Sequence, residues 1–440
     1  MQPGEGNCSF TSLLGFLRSA IETFPEVRTG NNTTYSIEDI ALSAFSVFFT
    51  QSPSFLAYQT SMQQNKGSNN ARTLFGIEQI PCDNQIRALL DPVPAAHLFS
   101  VFDRTVMMMN EAKQLDGFRS FDNQLLVALD GTGYFSSNTI HCEYCLTKEH
   151  ADGSITYQHT ALLPAVVAPG RADVIPLAPE FIRKQDGKKK QDCENVAAKR
   201  WLDREGEKYR ELRVTALGDD LYCNQPMIER ILDKGLSFIL TCKPKSHPWL
   251  TEWVTVADPE EDLHQFSVTR WTGKERLTDT YQYVNGIPIR EGKNALLVNW
   301  VQLRTTNEEG EILYRNAFAT NHEITAENVQ KLVGAGRTRW KIENENNNTL
   351  KTKGYHFEHN FGHGRQHLSE TLLTLNLLAF LFHTVLEIFD QRYRLIRQTL
   401  PRRKDFFNDI RALTRYICFE SWEQLLAFMI RGLELPDPGG

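Results

Sequence analysis

Along the first 120 residues, apolar side chains recur at three- and four-residue spacing over 10–24, 37–55 and 95–110, which predicts helices buried along one stripe. The stretch 61–71, SMQQNKGSNNA, is polar and rich in Gly and Asn and reads as a loop. Residues 83–90 predict a further short helix with Asp83 as its N-cap. At Gln124 the texture changes. Residues 125–129 are a continuous apolar run of strand length ending at Asp130-Gly131-Thr132-Gly133, and 157–167 and 174–177 are further strand candidates. A charged helical stretch, 193–211, precedes a short strand-like run, 212–217, that ends at Gly218-Asp219. Residues 224–234 then read as a helix stopped by Gly235, and 236–242 as a strand. Three strands, a helix, a strand, a helix and a strand describe a layered α/β core.

From 253 to 325 the period becomes two, in the runs 264–271, 278–284, 295–303 and 312–320. Turn signals such as Thr272-Gly273, Asn285-Gly286 and Glu309-Gly310 separate them, so this is an antiparallel β unit. Helical periodicity returns at Thr325 and runs to the end. Within it, 371–389 is apolar enough to suggest a membrane span. Thr371, Thr374, Asn376, His383, Thr384 and Glu387 are costly in lipid, so a buried helix is the better reading.

Composition changes this picture little. The 440 residues are 41% hydrophobic and 23% charged, with 26 Phe, which excludes disorder as the main state. The net charge of −6 advertises no nucleic-acid partner, although an acidic chain can hold a local basic groove. The start, Met1-Gln2-Pro3-Gly4-Glu5-Gly6, lacks the features of a secretion signal, and eight Cys are too few for a disulfide scaffold. A reducing cytoplasm is expected.

The candidate chemistry lies at strand ends. Asp130 and Asp219 each close a buried-type strand, at the sheet rim where open-sheet enzymes place their sites. A third acidic cluster is Arg339-Trp340-Lys341-Ile342-Glu343-Asn344-Glu345, in which Arg339, Glu343 and Asn347 share one helix face. Two aspartates and a glutamate could bind two Mg²⁺ ions through hard oxygen ligands, about 3.5–4 Å apart, as suits in-line displacement at phosphorus. The plain alternative is turn-forming Asp and a solvated Glu.

Leu129-Asp130-Gly131-Thr132, Gly218-Asp219-Asp220-Leu221-Tyr222 and Arg339-Trp340-Lys341-Ile342-Glu343 together resemble the three acidic motifs of DDE transposases from bacterial insertion sequences. The resemblance covers about residues 83–367. It implies an RNase H-like core, with a mostly β insertion between the second Asp and the Glu, where the 253–325 unit sits. Arg339 and Glu343 keep the family's Arg-x-x-x-Glu spacing, whereas Gly336 stands in place of its Tyr and Leu350 in place of its Lys. Lys351 and Lys353 are the candidates to take over that grip on DNA phosphate. Asp219 competes with the adjacent Asp220, and strand register favours Asp219. Glu343 competes with Glu345, about 200° away around a helix; the motif spacing favours Glu343.

Two basic runs add phosphate-neutralising charge: 183–190, with Lys188, Lys189 and Lys190, and 391–404, with Arg392, Arg394, Arg397, Arg402, Arg403 and Lys404. Cys142 and Cys145 supply two of the four N/S ligands that structural zinc needs, with His141, His150 and His159 nearby and Cys193 beyond. The alternative is a pair of reduced, half-buried thiols. In the run 355–367, His359, His363 and His367 have metal-like spacing, but Gly362 and Gly364 argue for a turn. These donors are read as touching DNA phosphate or supporting Glu343, against a plain loop. No Gly-x-Ser-x-Gly, phosphate-cradling or dinucleotide-binding sequence is present.

The expected molecule is therefore α/β, with an RNase H-like core interrupted by a mostly antiparallel β insertion and helical N- and C-terminal regions. Its parts are a helical, DNA-engaging unit (1–120), the core (121–250 and 326–368), the insertion (251–325) and a helical tail (369–440). The resemblance implies metal-dependent DNA cleavage and strand transfer, with Asp130, Asp219 and Glu343 holding two Mg²⁺ or Mn²⁺ ions. It further implies double-stranded DNA (element ends and target) as partner, a homodimer on DNA, no membrane, and work at the bacterial nucleoid. The alternatives are a remnant that binds DNA without cutting and a nuclease without strand transfer.

Overall fold

In a computed structural model, which describes residues 9–29, 34–184, 193–256 and 263–438, the chain is mixed α/β, with helices at both ends around a large mixed sheet. The strands are β1 Leu125–Ala128, β2 Gly131–Ser137, β3 Leu146–Glu149, β4 Ile155–Leu162, β5 Ala165–Val167, β6 Ile175–Pro176 and β7 Glu180–Ile182. They continue with β8 Val214–Gly218, β9 Ser237–Thr241, β10 His264–Trp271, β11 Arg276–Pro288, β12 Leu297–Thr306 and β13 Ile312–Thr320. Nine of them form one sheet in the order β10-β11-β12-β13-β9-β8-β1-β5-β6. In it β1 runs parallel to β8 and β8 parallel to β9, while the other neighbours are antiparallel.

The period-two region does form the expected meander. It does not stand apart: β13 pairs with β9, so the meander extends the central sheet. A second sheet, β2-β4-β3 with β7 beside β4, grows out of the first. Only Leu129 and Asp130 separate β1 from β2, and only Leu163 and Pro164 separate β4 from β5. The ladder bridges this break, since the Leu163 N–H donates to the Asp130 carbonyl at 2.9 Å. The strands therefore bend from one sheet into the other at Asp130. The short, partly exposed β2, β3 and β7 lack the apolar runs that mark the central strands, which is why periodicity does not find them.

Helix Glu194–Glu211 buries Ala197, Ala198, Trp201 and Leu202 against β4 and β7, and the Trp201 indole donates to the Ala178 carbonyl at 2.9 Å. Helix Leu368–Phe389 is long and apolar enough to cross a membrane, but its surface is almost wholly buried within the protein. Several of its polar side chains reach partners on other segments. Thr371 donates to the Val93 carbonyl (2.6 Å), Asn376 to the Tyr355 carbonyl (2.9 Å), and His383 lies 2.7 Å from the Tyr355 hydroxyl and 3.0 Å from the Phe49 carbonyl. That pattern, with buried polar groups bonded inside the protein, belongs to a core helix.

Differences at the N-terminal end have local causes. Asp83 is the first helical residue and not the cap, and pairs with Arg87 one turn on at 2.8 Å. The helix expected over 37–55 ends at Phe49, before Pro53, and a new one starts at Phe55 under a Ser54 cap. The polar stretch expected as a loop is instead helical, Asn65–Asn70 followed by a π turn, Ala71–Phe75. The reason lies at the far end of the chain. The buried Asn70 amide donates to the Thr414 and Ile417 carbonyls, both at 2.7 Å, and accepts from the Phe419 N–H at 2.8 Å. Losing that amide strands two buried backbone groups and one partly buried one, each buried group costing about 1–3 kcal/mol less any relaxation. Asn70→Ala is expected to lower stability by about 2–4 kcal/mol and to raise amide exchange in helices Arg403–Tyr416 and Trp422–Gly432. Unchanged denaturation and exchange would show that the C-terminal helices dock without it.

Candidate active site

The parallel register sets Ala128 beside Leu217, and the Leu129 N–H donates to the Leu217 carbonyl at 2.9 Å. Two residues further along each strand come Asp130 and Asp219, at the same end of the sheet. The Asp130 carboxylate accepts from the Asn347 amide at 2.8 Å, and its other oxygen lies 3.9 Å from the Arg339 guanidinium. The same guanidinium pairs with Glu343 at 2.7 Å. Two motifs more than 200 residues apart therefore meet around Arg339, with Asp219 close enough to Asp130 for its charge to be felt.

Glu343 sits in a π turn, Ile342–Asn347, which follows helix Val329–Arg337. The wider turn keeps Glu343 half-exposed while Asn346 and Asn347 are buried. Glu345 lines a different cavity beside Lys351 and Lys353 and so faces away from Asp130. Asp219 accepts from the Leu221 N–H at 2.8 Å. Asp220 turns to the neighbouring loop, accepting from the Lys243 N–H at 2.6 Å and lying 3.2 Å from His247.

A fourth acid, which sequence reasoning missed, is Glu194. It opens helix Glu194–Glu211 and accepts from the Gly131 N–H at 2.9 Å and from the Tyr222 hydroxyl at 2.5 Å. A Cβ at position 131 would lie 2.5 Å from this carboxylate, so any larger residue there would push the Glu194 side chain aside. No local pattern marks Glu194, because its neighbours are set by how the helix packs. Burial, then repulsion from Glu194 and Glu343, with a smaller contribution from Asp219, pushes the Asp130 carboxyl up to about 7 against the opposing charge of Arg339. All-oxygen donors of this kind suit a hard divalent cation.

Gly336 and Leu350 are set by packing. A Cβ at Gly336 would lie 2.9 Å from Ile239 and Phe318, where the helix crosses β9 and β13, and Leu350 is fully buried. Lys351 pairs with Glu358 at 3.0 Å. Lys351 and Lys353 line a cleft of about 870 Å³ with Arg402, Arg403, Lys404 and Arg411, so the C-terminal basic run faces the segment following Glu343. Much of that basic charge is structurally engaged: Arg403 with Glu387, Arg411 with the Thr50 and Gln51 carbonyls, and Arg392 with Asp437. Arg183 pairs with the buried Glu370, and Lys188, Lys189 and Lys190 lie outside the described residues.

His359 is exposed in the loop before helix Leu368–Phe389, its ring against Phe361. His363 of the same loop turns to the second sheet, its Nε2 3.5 Å from the Cys145 thiol. The loop conformation at Gly362 and Gly364 agrees with the turn that those glycines suggest. Compared with known proteins, the chain matches no family model and no curated protein.

A raised Asp130 pKa has a definite sign. The folded protein holds this proton from the ordinary value of 3.8 up to about 7, whereas the unfolded chain has lost it. The group's contribution to stability is thus complete below about pH 4 and is lost as pH rises through about 7. A divalent cation held by these carboxylates would compete with the same proton, so Mn²⁺ affinity is expected to rise from pH 6 to 8. Asp130→Asn should flatten both the fall in metal-free melting temperature and the rise in residual Mn²⁺ affinity, as followed by calorimetry. A wild-type melting temperature that climbs across this range in parallel with the variant's would contradict the buried-proton account.

Proposed function

We propose that this protein is a DDE-type transposase that cuts DNA at the ends of a mobile element and joins the cut end to a target. The observation that carries the reading is the meeting of Asp130 and Asp219, at the ends of parallel neighbours, with Glu343 across Arg339. The strand succession supports it. β6, β5 and β1 are antiparallel neighbours, and β8 and β9 follow parallel to β1, which is the arrangement an RNase H-like core calls for. The meander separates β9 from the Glu343 segment in chain order, as the resemblance implies.

On this reading Asp130, Asp219 and Glu343 hold two Mg²⁺ or Mn²⁺ ions, with Glu194 near enough to add charge. When bound, such ions make a hydroxyl nucleophilic at neutral pH and stabilise the leaving oxygen. The chain's own residues do the rest. Asn347 holds the Asp130 carboxylate in one orientation by its amide hydrogen bond. Arg339 keeps the carboxylates together and offers a planar fork to a phosphate entering beside them. Lys351, Lys353 and Lys404 face the cleft and would grip the DNA backbone, with His359 nearby on the loop. A homodimer on paired element ends is the expected working form, with strongly salt-dependent binding.

Metal-dependent cleavage of a plasmid carrying the inverted repeats that flank the gene tests the reading. Asp130→Asn, Asp219→Asn and Glu343→Gln are each expected to abolish cleavage while end binding persists, and Asp220→Asn to be mild. Cutting without joining would make the protein a nuclease. Binding without any cutting would make it a remnant, and cleavage by all three variants would remove the acidic site.

Arg339→Lys separates clamp from scaffold. As a phosphate clamp, Arg339 should cost at least about tenfold in strand transfer when changed to Lys, equal to about 1.4 kcal/mol, with an unchanged melting temperature. A lower melting temperature with normal turnover per folded molecule would make it only the carboxylates' counter-charge.

A further inference from the structure

Away from the acidic site, four N/S donors converge where the second sheet meets the loop before helix Leu368–Phe389. Cys142 and Cys145 lie in the turn between β2 and β3, His159 is on β4, and His363 comes from that loop, 218 residues after Cys145. Their ligand atoms all lie within 4.8 Å of one another. Cys142 Sγ and Cys145 Sγ are 3.9 Å apart; each lies 3.5 Å from His159 Nε2, and Cys145 Sγ lies 3.5 Å from His363 Nε2.

These distances select a chemistry. For a tetrahedral zinc with its usual bond lengths, the sulfur–sulfur edge is about 3.8 Å and each sulfur–nitrogen edge about 3.5 Å. The observed spacings match those edges. Both thiols are free rather than joined as a disulfide. The Cys142 N–H also points at Cys145 Sγ, 3.4 Å away, which would favour a thiolate there. The surroundings are aromatic: His159 stacks on Tyr134, and Phe135 packs on both imidazoles. Cys145 and His159 are buried. Two thiolates, two neutral imidazoles and one Zn²⁺ carry no net charge, which such a setting can hold at low cost.

We infer that Cys142, Cys145, His159 and His363 form a structural zinc site that clamps the tip of the second sheet to the loop following the Glu343 segment. This lies outside the proposed function and does not depend on it. It takes His363 away from DNA contact and completes the half-site visible at Cys142 and Cys145. A closed set of four protein ligands leaves no open position for catalysis, so the role is to fix position. The clamp anchors the far end of the 343–363 segment. The other supports of that loop are the Arg87 side chain, which donates to the Phe361 carbonyl at 2.8 Å, and the Asp91 carboxylate, which accepts from Arg365 and Gln366 N–H groups at 2.9–3.0 Å.

The full-length protein, purified without chelator from zinc-supplemented cells, is expected to carry one zinc per chain by elemental mass spectrometry. Asp130→Asn should keep it, as should His141→Ala and His150→Ala, and Cys145→Ser should lose it. Because Cys145→Ser could fail to fold, Co²⁺ substitution of the His363→Cys variant supplies the second test. Wild type should show thiolate-to-cobalt charge transfer and the intense visible bands of a tetrahedral ion, and His363→Cys should strengthen the charge transfer by adding a third thiolate. A chain with no zinc that also develops no such cobalt bands overturns the site. A cobalt spectrum unchanged by His363→Cys overturns the four-ligand set and with it the clamp.

Discussion

The parallel pairing of β1 with β8 sets Ala128 beside Leu217, and two residues further outward on each strand stand the two aspartates. Parallel neighbours end at the same edge of a sheet, so a carboxylate closing each strand must share one rim. A hairpin between the same strands would have put them at opposite ends. Asp130 also sits where β1 bends into β2 and the ladder passes through its own carbonyl, so its position is tied to two sheets at once.

Gathering four carboxylates at that rim is unfavourable unless something offsets it. Here the offset is specific: a guanidinium between Asp130 and Glu343, an amide on Asp130, a phenol and a main-chain N–H on Glu194, and a proton retained on Asp130. The π turn that carries Glu343 and Asn347 is part of the same arrangement, since it lets one segment supply both an exposed acid and buried amides. Such a local departure from regular helix is common where function and folding make opposed demands.

The helical ends are parts of one core. Phe10, Phe49 and Phe75 of the N-terminal region pack on Trp422 of the C-terminal region, and Phe48 packs on Phe361 of the loop before helix Leu368–Phe389. The buried helix between them reads as a span only because a core helix is apolar all round for the same reason as a membrane helix, namely the absence of water on every face. Thr371, Asn376 and His383 mark the difference, each bonded to a polar group on a neighbouring segment.

Periodicity along the chain was enough to mark the central strands, the meander, the long buried helix and the change of texture at Gln124, because burial of one face writes its period into adjacent residues. Motif spacing was enough to nominate Asp130, Asp219 and Glu343, and strand register to prefer Asp219 to Asp220, whose side chain is occupied by Lys243 and His247. Three things depended on tertiary structure. Glu194 faces Gly131 only because its helix packs there; Asn70 is helical and buried only because the C-terminal helices cover it; His363 meets Cys145 across 218 residues. Each is a contact between groups far apart in the chain, and side-chain pattern within a segment carries no record of what another segment will bring to it.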